Sequence, residues 1–267
     1  MKAFGVIIVI MVVVLLVGGV HRRMRNRRRG EVRAMLLGEE ERALLHEKVP
    51  LYARMPVGLQ HKLEGLAQGF IHEIGFEPCG HLDEVTPEMQ LIIASQACLL
   101  LLESGYDHFG RLRSVLIYPD AYQVRDEMGV ESIRLGESWR NGSVVLSWQS
   151  VRQGSRNPED GRNVVLHEFA HQLDQFDGRA DGLPVLKSRS DYPEWTEAMS
   201  ASYQKLRTRV ERGARTVLDD YGATNPAEFF AVATETFFEK PRQLMREHQG
   251  LYEQMKRFYG LDPLEWE

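Results

Sequence analysis

The chain has 267 residues, of which 43% are hydrophobic and 27% are charged, and its formal net charge is −5. Seven of the 33 basic residues lie within residues 1–30, which hold none of the 38 acidic ones, so residues 31–267 carry a net charge of −12. This acidic body argues against nucleic-acid binding, and the presence of only two cysteines argues against a disulfide scaffold.

Residues 3–20 contain no charged or polar side chain. As a helix they would be about 27 Å long, which is enough to cross a hydrocarbon core. Six arginines follow within residues 22–29, against Lys2 alone before the apolar run. This asymmetry predicts a single-pass anchor in the inner (cytoplasmic) membrane with the C-terminal side in the cytoplasm, and anionic headgroups account for the arginines. The alternative is a cleaved signal peptide, which would carry its positive charge before the apolar run.

The next elements are helices followed by strands. Helical patterns are clearest at residues 39–45 and 89–102, with several prolines marking boundaries between them. Residues 111–118 predict a strand that ends at Pro119, and residues 142–148 predict another by their alternating pattern.

A helix over residues 165–176 carries the sequence His167-Glu168-Phe169-Ala170-His171. Residues four apart lie on one helix face, so both imidazoles can give a nitrogen to one Zn²⁺ at about 2.0–2.1 Å. Glu168 can then take a proton from a metal-bound water. The alternative is two surface histidines and an ordinary carboxylate on an amphipathic helix.

A third ligand is expected from a later helix. Asn225 and Pro226 predict the start of a helix that runs from about residue 227 to residue 239, and Glu228 lies near its beginning. Glu228 could bind the metal, or it could complete a capping box by binding the backbone N–H of Asn225. His248 is the only downstream histidine, and its polar surroundings make it the weaker candidate.

Several separated segments resemble the Mlc titration factor A family of zinc metallopeptidases, and together they cover about residues 35–265. They are residues 94–100, 142–148, 163–174, 180–182 and 225–232. Residues 221–231 also resemble the catalytic core of anthrax lethal factor, which has the run Tyr-Gly-x-Thr-Asn-x-x-Glu-Phe-Phe-Ala. The family is generally soluble, so the predicted anchor is a departure from it.

The resemblance implies a gluzincin-type site with one Zn²⁺ held by His167, His171 and Glu228. It also implies that Glu168 is the general base and that the Tyr221 hydroxyl points at the substrate carbonyl. A phenol can donate to a developing oxyanion without carrying charge, although Tyr221 could also be a packing residue.

Two further acids share faces with the predicted ligands. Asp174 lies on the face of His167 and His171, where it could orient an imidazole or be solvated. Glu235 lies seven residues after Glu228, and a solvated acid is the favoured reading there.

We therefore expect an α+β, zincin-like fold in three parts. Residues 1–30 form the transmembrane helix and basic collar, residues 31–106 a helical N-terminal part, and residues 107–267 the catalytic part with a small sheet. Zincin folds place an edge strand beside the active-site helix, where a substrate peptide can add as a further strand. We expect residues 142–148 to be that edge strand, the alternative being an interior strand.

The predicted function is zinc-dependent, aminopeptidase-like hydrolysis of a peptide or protein substrate. The alternative is a membrane-tethered binding protein that sequesters a transcriptional regulator, with zinc in a structural role. The enterobacterial members of the family suggest a repressor as that partner.

Overall fold

The computed structural model describes Gly30 and residues 36–266, apart from residues 104–108, 111, 121, 126–130, 135 and 140–141. The apolar segment at residues 3–20 and the arginines after it lie outside the described residues, so the predicted anchor stays a prediction. In the described part of the chain, every helix is too short or too polar to serve as a membrane span.

Helices dominate both ends of the described chain, and the strands lie between them. In chain order the helices and strands are α1 (Glu39–Lys48), α2 (Pro50–Arg54), α3 (Val57–Glu73), β1 (Gly75–Pro78), α4 (Pro87–Leu99), β2 (Ser114–Tyr118), β3 (Tyr122–Arg125), β4 (Glu131–Arg134), β5 (Gly136–Trp139), β6 (Ser143–Ser147), α5 (Trp148–Arg156), α6 (Val164–Asp174), α7 (Tyr192–Glu211), α8 (Pro226–Glu239), α9 (Pro241–Glu247) and α10 (Gln249–Tyr259).

The helical segments predicted at residues 39–45 and 89–102 correspond to α1 and α4. Helix α4 begins where the side chain of Thr86 accepts a hydrogen bond from Met89 N at 3.3 Å, with Pro87 in the first turn. The helix is buried from Leu91 to Leu99. It packs against α3 and also contacts α6, the predicted metal-binding helix.

The principal sheet has four strands in the order β1-β2-β6-β5. Strands β1, β2 and β6 are parallel, and β5 is antiparallel to β6. Strands β3 and β4 form a separate antiparallel pair. A mixed helical and sheet architecture is therefore confirmed at the level of an α+β fold. The zincin-like assignment and the boundary at residue 106 stay predictions.

The prediction of an edge strand at residues 142–148 is wrong. Strand β6 pairs with β2 on one side and β5 on the other, so it is an interior strand. Val144, Val145, Leu146 and Ser147 are all buried, as expected of a strand covered on both faces. The edge strand on this side of the sheet is β5, which contacts α6.

Candidate metal centre

Helix α6 holds the two predicted histidine ligands one turn apart. Its first turn is capped by Asn163, whose Oδ1 accepts hydrogen bonds from Val165 N and Leu166 N, both at 3.1 Å. The apolar face of the helix is buried, which leaves His167 and His171 together on the opposite side, with ring centroids 4.9 Å apart. The local sequence thus sets the spacing of the two histidines, and burial of the apolar face determines the side of the helix on which they lie.

Helix α8 brings Glu228 to these histidines. Asn225 caps the helix by accepting from Glu228 N at 3.0 Å. The Glu228 carboxylate does not turn back toward the backbone as a capping box requires. Its Oε2 lies 3.0 Å from His167 Nε2 and 3.3 Å from His171 Nε2.

The three side chains converge as ligands of a single ion would. One nitrogen from each of His167 and His171 and one oxygen of Glu228 all lie within 4.8 Å of one another. Two ligands at about 2.1 Å from a tetrahedral ion are about 3.4 Å apart, close to the observed separations of 3.0 and 3.3 Å. Two imidazoles and a carboxylate also match the donors of catalytic zinc sites. His248 lies outside this group.

Glu168 and Tyr221 both lie near the cluster and differ in their exposure. Glu168 is only 6% exposed, and burial raises the pKa of its carboxyl against the lowering effect of the two histidines. Tyr221 is 52% exposed and lies in a 3-10 turn, where Asp219 accepts from its backbone N–H at 2.9 Å. Its ring centroid is 5.9 Å from that of His167. The structure therefore brings both predicted catalytic residues to the cluster, one buried and one open to solvent.

The expectation of a solvated Glu235 is wrong. Its side chain is 6% exposed, and Oε1 lies 2.7 Å from Nδ1 of His167. Its other oxygen accepts a hydrogen bond from Asn163 N. The spacing carried a signal, because seven residues after Glu228 is the same helix face, and the surrounding residues of α8 are apolar.

Asp174 is also buried, so a solvated side chain is excluded there. Its Oδ2 accepts from Gly182 N at 3.0 Å, and burial raises the pKa of the carboxyl to about 6. Gly182 has φ of +75°, and a Cβ there would lie 2.2 Å from the carbonyl oxygen of Pro226. Asp174 thus ties the loop after α6 to the end of that helix, at the point where Gly182 lies against the beginning of α8, and this hydrogen bond goes to the backbone instead of an imidazole.

The sequence reasoning missed the polar residues behind the cluster. Glu239 accepts from Asn163 Nδ2 and from Arg162 N, both at 3.0 Å. Asn163 Nδ2 also donates to Gln96 Oε1 at 2.7 Å. Burial raises the pKa of Glu239 well above its usual range, against hydrogen bonds that lower it. The spacing of the acids at 228, 235 and 239 pointed to a shared face, but only the packing of α6 on α8 shows what they contact.

The charge of His167 depends on Glu228 and Glu235. Burial of His167 opposes its protonation, but the charge of Glu235 and hydrogen bonds to Glu228 and Glu235 raise its pKa well above the usual value. The site therefore favours a positive charge at the position where the three side chains meet.

Known proteins resemble this chain over most of its length. The profile of the glucose-regulated metallo-peptidase M90 family matches residues 22–260. An uncharacterized protein of Synechocystis sp. is 43% identical over 231 residues, which cover 83% of this chain and 84% of that protein. Mlc titration factor A of Klebsiella pneumoniae subsp. pneumoniae is 33% identical over 227 residues, and that of Cronobacter sakazakii is 31% identical over 229 residues. Each of these two alignments covers 81% of this chain and 84% of the relative. The predicted family resemblance is confirmed, and the chain belongs to the glucose-regulated metallo-peptidase M90 family.

Proposed function

We propose that this chain is a zinc-dependent peptidase, aminopeptidase-like in its reaction, which holds one Zn²⁺ through His167, His171 and Glu228. The observation that carries the proposal is the convergence of two imidazole nitrogens and one carboxylate oxygen within 4.8 Å, beside a buried Glu168. Membership of a metallopeptidase family supports a metal and a peptide or protein substrate.

The residues around the cluster have separate tasks in this proposal. Zn²⁺, when bound, supplies a Lewis acid that lowers the pKa of water and polarises a carbonyl group. Glu168 accepts a proton from the attacking water and returns it to the leaving amine, for which a buried carboxyl with a raised pKa is suited. Tyr221, on the open side, donates a hydrogen bond to the carbonyl oxygen as charge develops on it.

The experiment combines metal analysis with peptide cleavage by the full-length chain in detergent. A peptide library is offered with free N-termini and, as a matched set, with acetylated N-termini. We expect one Zn²⁺ per chain and stepwise removal of N-terminal residues that acetylation blocks. A chain that holds no zinc, or that cleaves neither set, contradicts the proposal. Equal cleavage of the free and acetylated peptides would contradict the aminopeptidase assignment but not the proposal of a zinc peptidase.

We also propose that residues 3–20 anchor the protein in the inner membrane with the catalytic part in the cytoplasm. The support is the length of the apolar run and the six arginines that follow it. The full-length chain should remain with membranes after alkaline extraction and be digested by a protease added to inverted vesicles. Release into the supernatant would contradict an anchor.

A second candidate function is supported by the names of the relatives. Proteins called Mlc titration factor A are 31–33% identical to this chain, and that name supports binding of a regulator. The membrane tether and a structural role for zinc are further parts of this second proposal. Capture of a regulator by Glu168→Gln, together with no turnover of any peptide by the wild type, would favour this function over catalysis.

A further inference from the structure

Three glutamates form a line along one face of α8. Glu228, Glu235 and Glu239 are separated by seven and four residues, so they lie within about 40° of one another around the helix axis. The line faces the beginning of α6, because Glu235 contacts His167 and Glu239 contacts Asn163. Helix α8 thus places the proposed metal ligand Glu228 and two buried acids against α6.

Glu235 contacts both the side chain of one histidine and the backbone that carries it. The distance of 2.7 Å between Glu235 Oε1 and His167 Nδ1 is that of a charge-assisted hydrogen bond. An ionised carboxylate only accepts, so Nδ1 of His167 donates to Glu235 and Nε2 donates to Glu228. A metal bound at Nε2 would replace the second hydrogen, whereas Glu235 holds the hydrogen on Nδ1. The second oxygen of Glu235 accepts from Asn163 N, at the cap of α6.

The cap itself is held by a second set of buried contacts. Asn163 uses its oxygen to cap α6 and its amide nitrogen to donate to Glu239 and Gln96. The position of the first turn of α6 is therefore tied to both α8 and α4. His167 lies in this turn, so the same contacts that hold the helix end also limit how the imidazole can move.

We propose that Glu235 is a positioning residue that fixes the tautomer and orientation of His167 for metal binding. Asn163 and Glu239 assist by holding the beginning of α6 in place against α8. The inference rests on the proposed metal site. A buried acid that only stabilises the fold is the competing explanation, and it predicts no specific effect on the metal. Loss of a carboxylate that orients a metal-bound histidine typically weakens metal affinity by about 10–100-fold.

The test measures the zinc dissociation constant of the full-length chain by competition with a chromophoric chelator. Glu235→Gln is close in shape and keeps the protein folded, while Glu235→Ala removes both contacts. The matched control is Glu64→Gln, which alters an equally buried acid that contacts Arg42 and Tyr52 on the helical side of the protein. We expect zinc affinity to fall by about 10–100-fold in both Glu235 variants and to stay unchanged in the control.

Wild-type zinc affinity in folded Glu235→Gln and Glu235→Ala would overturn the positioning role. An equal loss of affinity in Glu64→Gln would also overturn it, because a general loss of stability would then explain the effect. Failure of the wild type to bind zinc would instead refute the proposed function. The His171→Ala variant, which lacks one proposed ligand, shows in the same assay what loss of zinc binding looks like.

A second feature, independent of the metal, is a groove of about 690 Å³ between α7 and α9. Lys205 and Arg209 line it from α7, and Arg212 lines it from the position directly after the end of that helix. Arg246 and Glu247 line it from α9. We call this the basic groove. It holds four cations and one acid on a body whose net charge is −12.

The basic groove already holds one carboxylate from its own chain. Glu247 lies 3.1 Å from Arg209 and 3.2 Å from Arg246, and its backbone oxygen accepts from Lys205 Nζ. The geometry therefore suits a carboxylate between the two helices, and an incoming acidic side chain would share these arginines with Glu247.

We infer that the basic groove binds an acidic segment of a partner or substrate protein. Cations from two adjacent helices line it, so an extended acidic chain can contact both helices at once. The charge complementarity also predicts that binding weakens as salt is raised, because the cations are at the surface.

The probe is a fluorescein-labelled octaglutamate peptide, with binding to the full-length chain measured by anisotropy. Arg209→Gln/Arg212→Gln is compared with Arg54→Gln/Arg179→Gln, which makes the same change in charge elsewhere on the surface. The arginines at residues 22–29 contribute equally to both variants. We expect affinity to be about tenfold weaker in the groove variant and unchanged in the control.

Equal affinity of the two variants for the peptide would overturn this inference. It would also be overturned if the groove variant lost affinity only for phosphatidylglycerol vesicles, since the groove would then face a membrane.

Discussion

Two regions of this protein bury carboxylates, and they balance the charge differently. Glu64 is 1% exposed, and its partners are Tyr52 at 2.8 Å and the Arg42 side chain at 3.1 Å, so the site contains its own cation. Glu228 and Glu235 are held instead by histidines and by backbone N–H groups, and no ion pair with Lys or Arg occurs at either within the described residues.

The difference separates a structural acid from a functional one. Burying a carboxylate is costly unless a charge or several hydrogen bonds compensate it. Around Glu64 the protein supplies that charge permanently. At the metal centre Glu168 adds a further buried acid, and among the described residues it is His167 and His171 that oppose its negative charge. The proposed cation would complete the charge balance of the second region, whereas the first region needs none.

The largest effect expected from this contrast is the loss of the metal. His171→Ala removes one of three ligands, so zinc content should fall from one per chain toward zero and hydrolysis should fall to background. Metal analysis of gel-filtered protein measures this. Glu64→Ala, in its folded fraction, should keep its zinc, and zinc retained in full by His171→Ala would break the contrast.

Tyr221→Phe should lower kcat by about 10²-fold while KM and zinc content stay near the wild-type values. The phenol is proposed to donate only as charge develops on the carbonyl oxygen, and its side chain is not among the ligands. Steady-state kinetics on one cleaved peptide measures the change. A variant with unchanged kcat would return Tyr221 to the role of a packing residue.

Glu64→Gln should cost about 1–3 kcal/mol of unfolding free energy, since it weakens a buried acceptor of three donors without touching the metal. Chemical denaturation in excess zinc measures the loss. Unchanged zinc affinity would support the contrast between Glu64 and the acids of the metal centre. Loss of zinc together with stability would contradict it.

A smaller effect is expected from the buried His248. Burial, together with the nearby charge of Lys205 and, less strongly, Arg209, outweighs the opposite effect of Glu247 and lowers the pKa of His248 to about 4 from a usual value of 6.5. The unfolded chain gains a proton near pH 6.5, whereas the folded chain gains it only near pH 4. Stability should therefore fall as the pH is lowered through this window.

His248→Gln should flatten that slope, and the exposed His61→Gln should leave it as in the wild type. Denaturation midpoints at pH 7, 5.5 and 4.5 measure it. Identical slopes for the wild type and His248→Gln would show that His248 does not contribute.

Sequence reasoning located the metal centre better than its surroundings. The helix of His167 and His171 follows from local spacing, and the start of the Glu228 helix follows from Asn225 and Pro226. The local pattern fits Glu228 both as a partner in the helix cap and as a partner of the histidines. The family resemblance is what favours the histidines.

The errors concern long-range contacts. A solvated Glu235 is the usual expectation for a lone acid, yet α6 packs over it and supplies Asn163 and His167 as partners. The edge position of β6 is an expectation from zincin folds, and the alternating pattern that predicts the strand does not reveal how many neighbours it has. Both errors arise where the answer lies in a segment distant in sequence.

The most direct test of the central claim compares the wild type with Glu168→Gln in parallel measurements of zinc content and peptide hydrolysis. The proposed chemistry predicts equal zinc in the two proteins and a kcat/KM lower by about 10²–10⁴-fold in the variant, since the general base is removed while the ligands remain. Hydrolysis by Glu168→Gln at the wild-type rate would contradict the account.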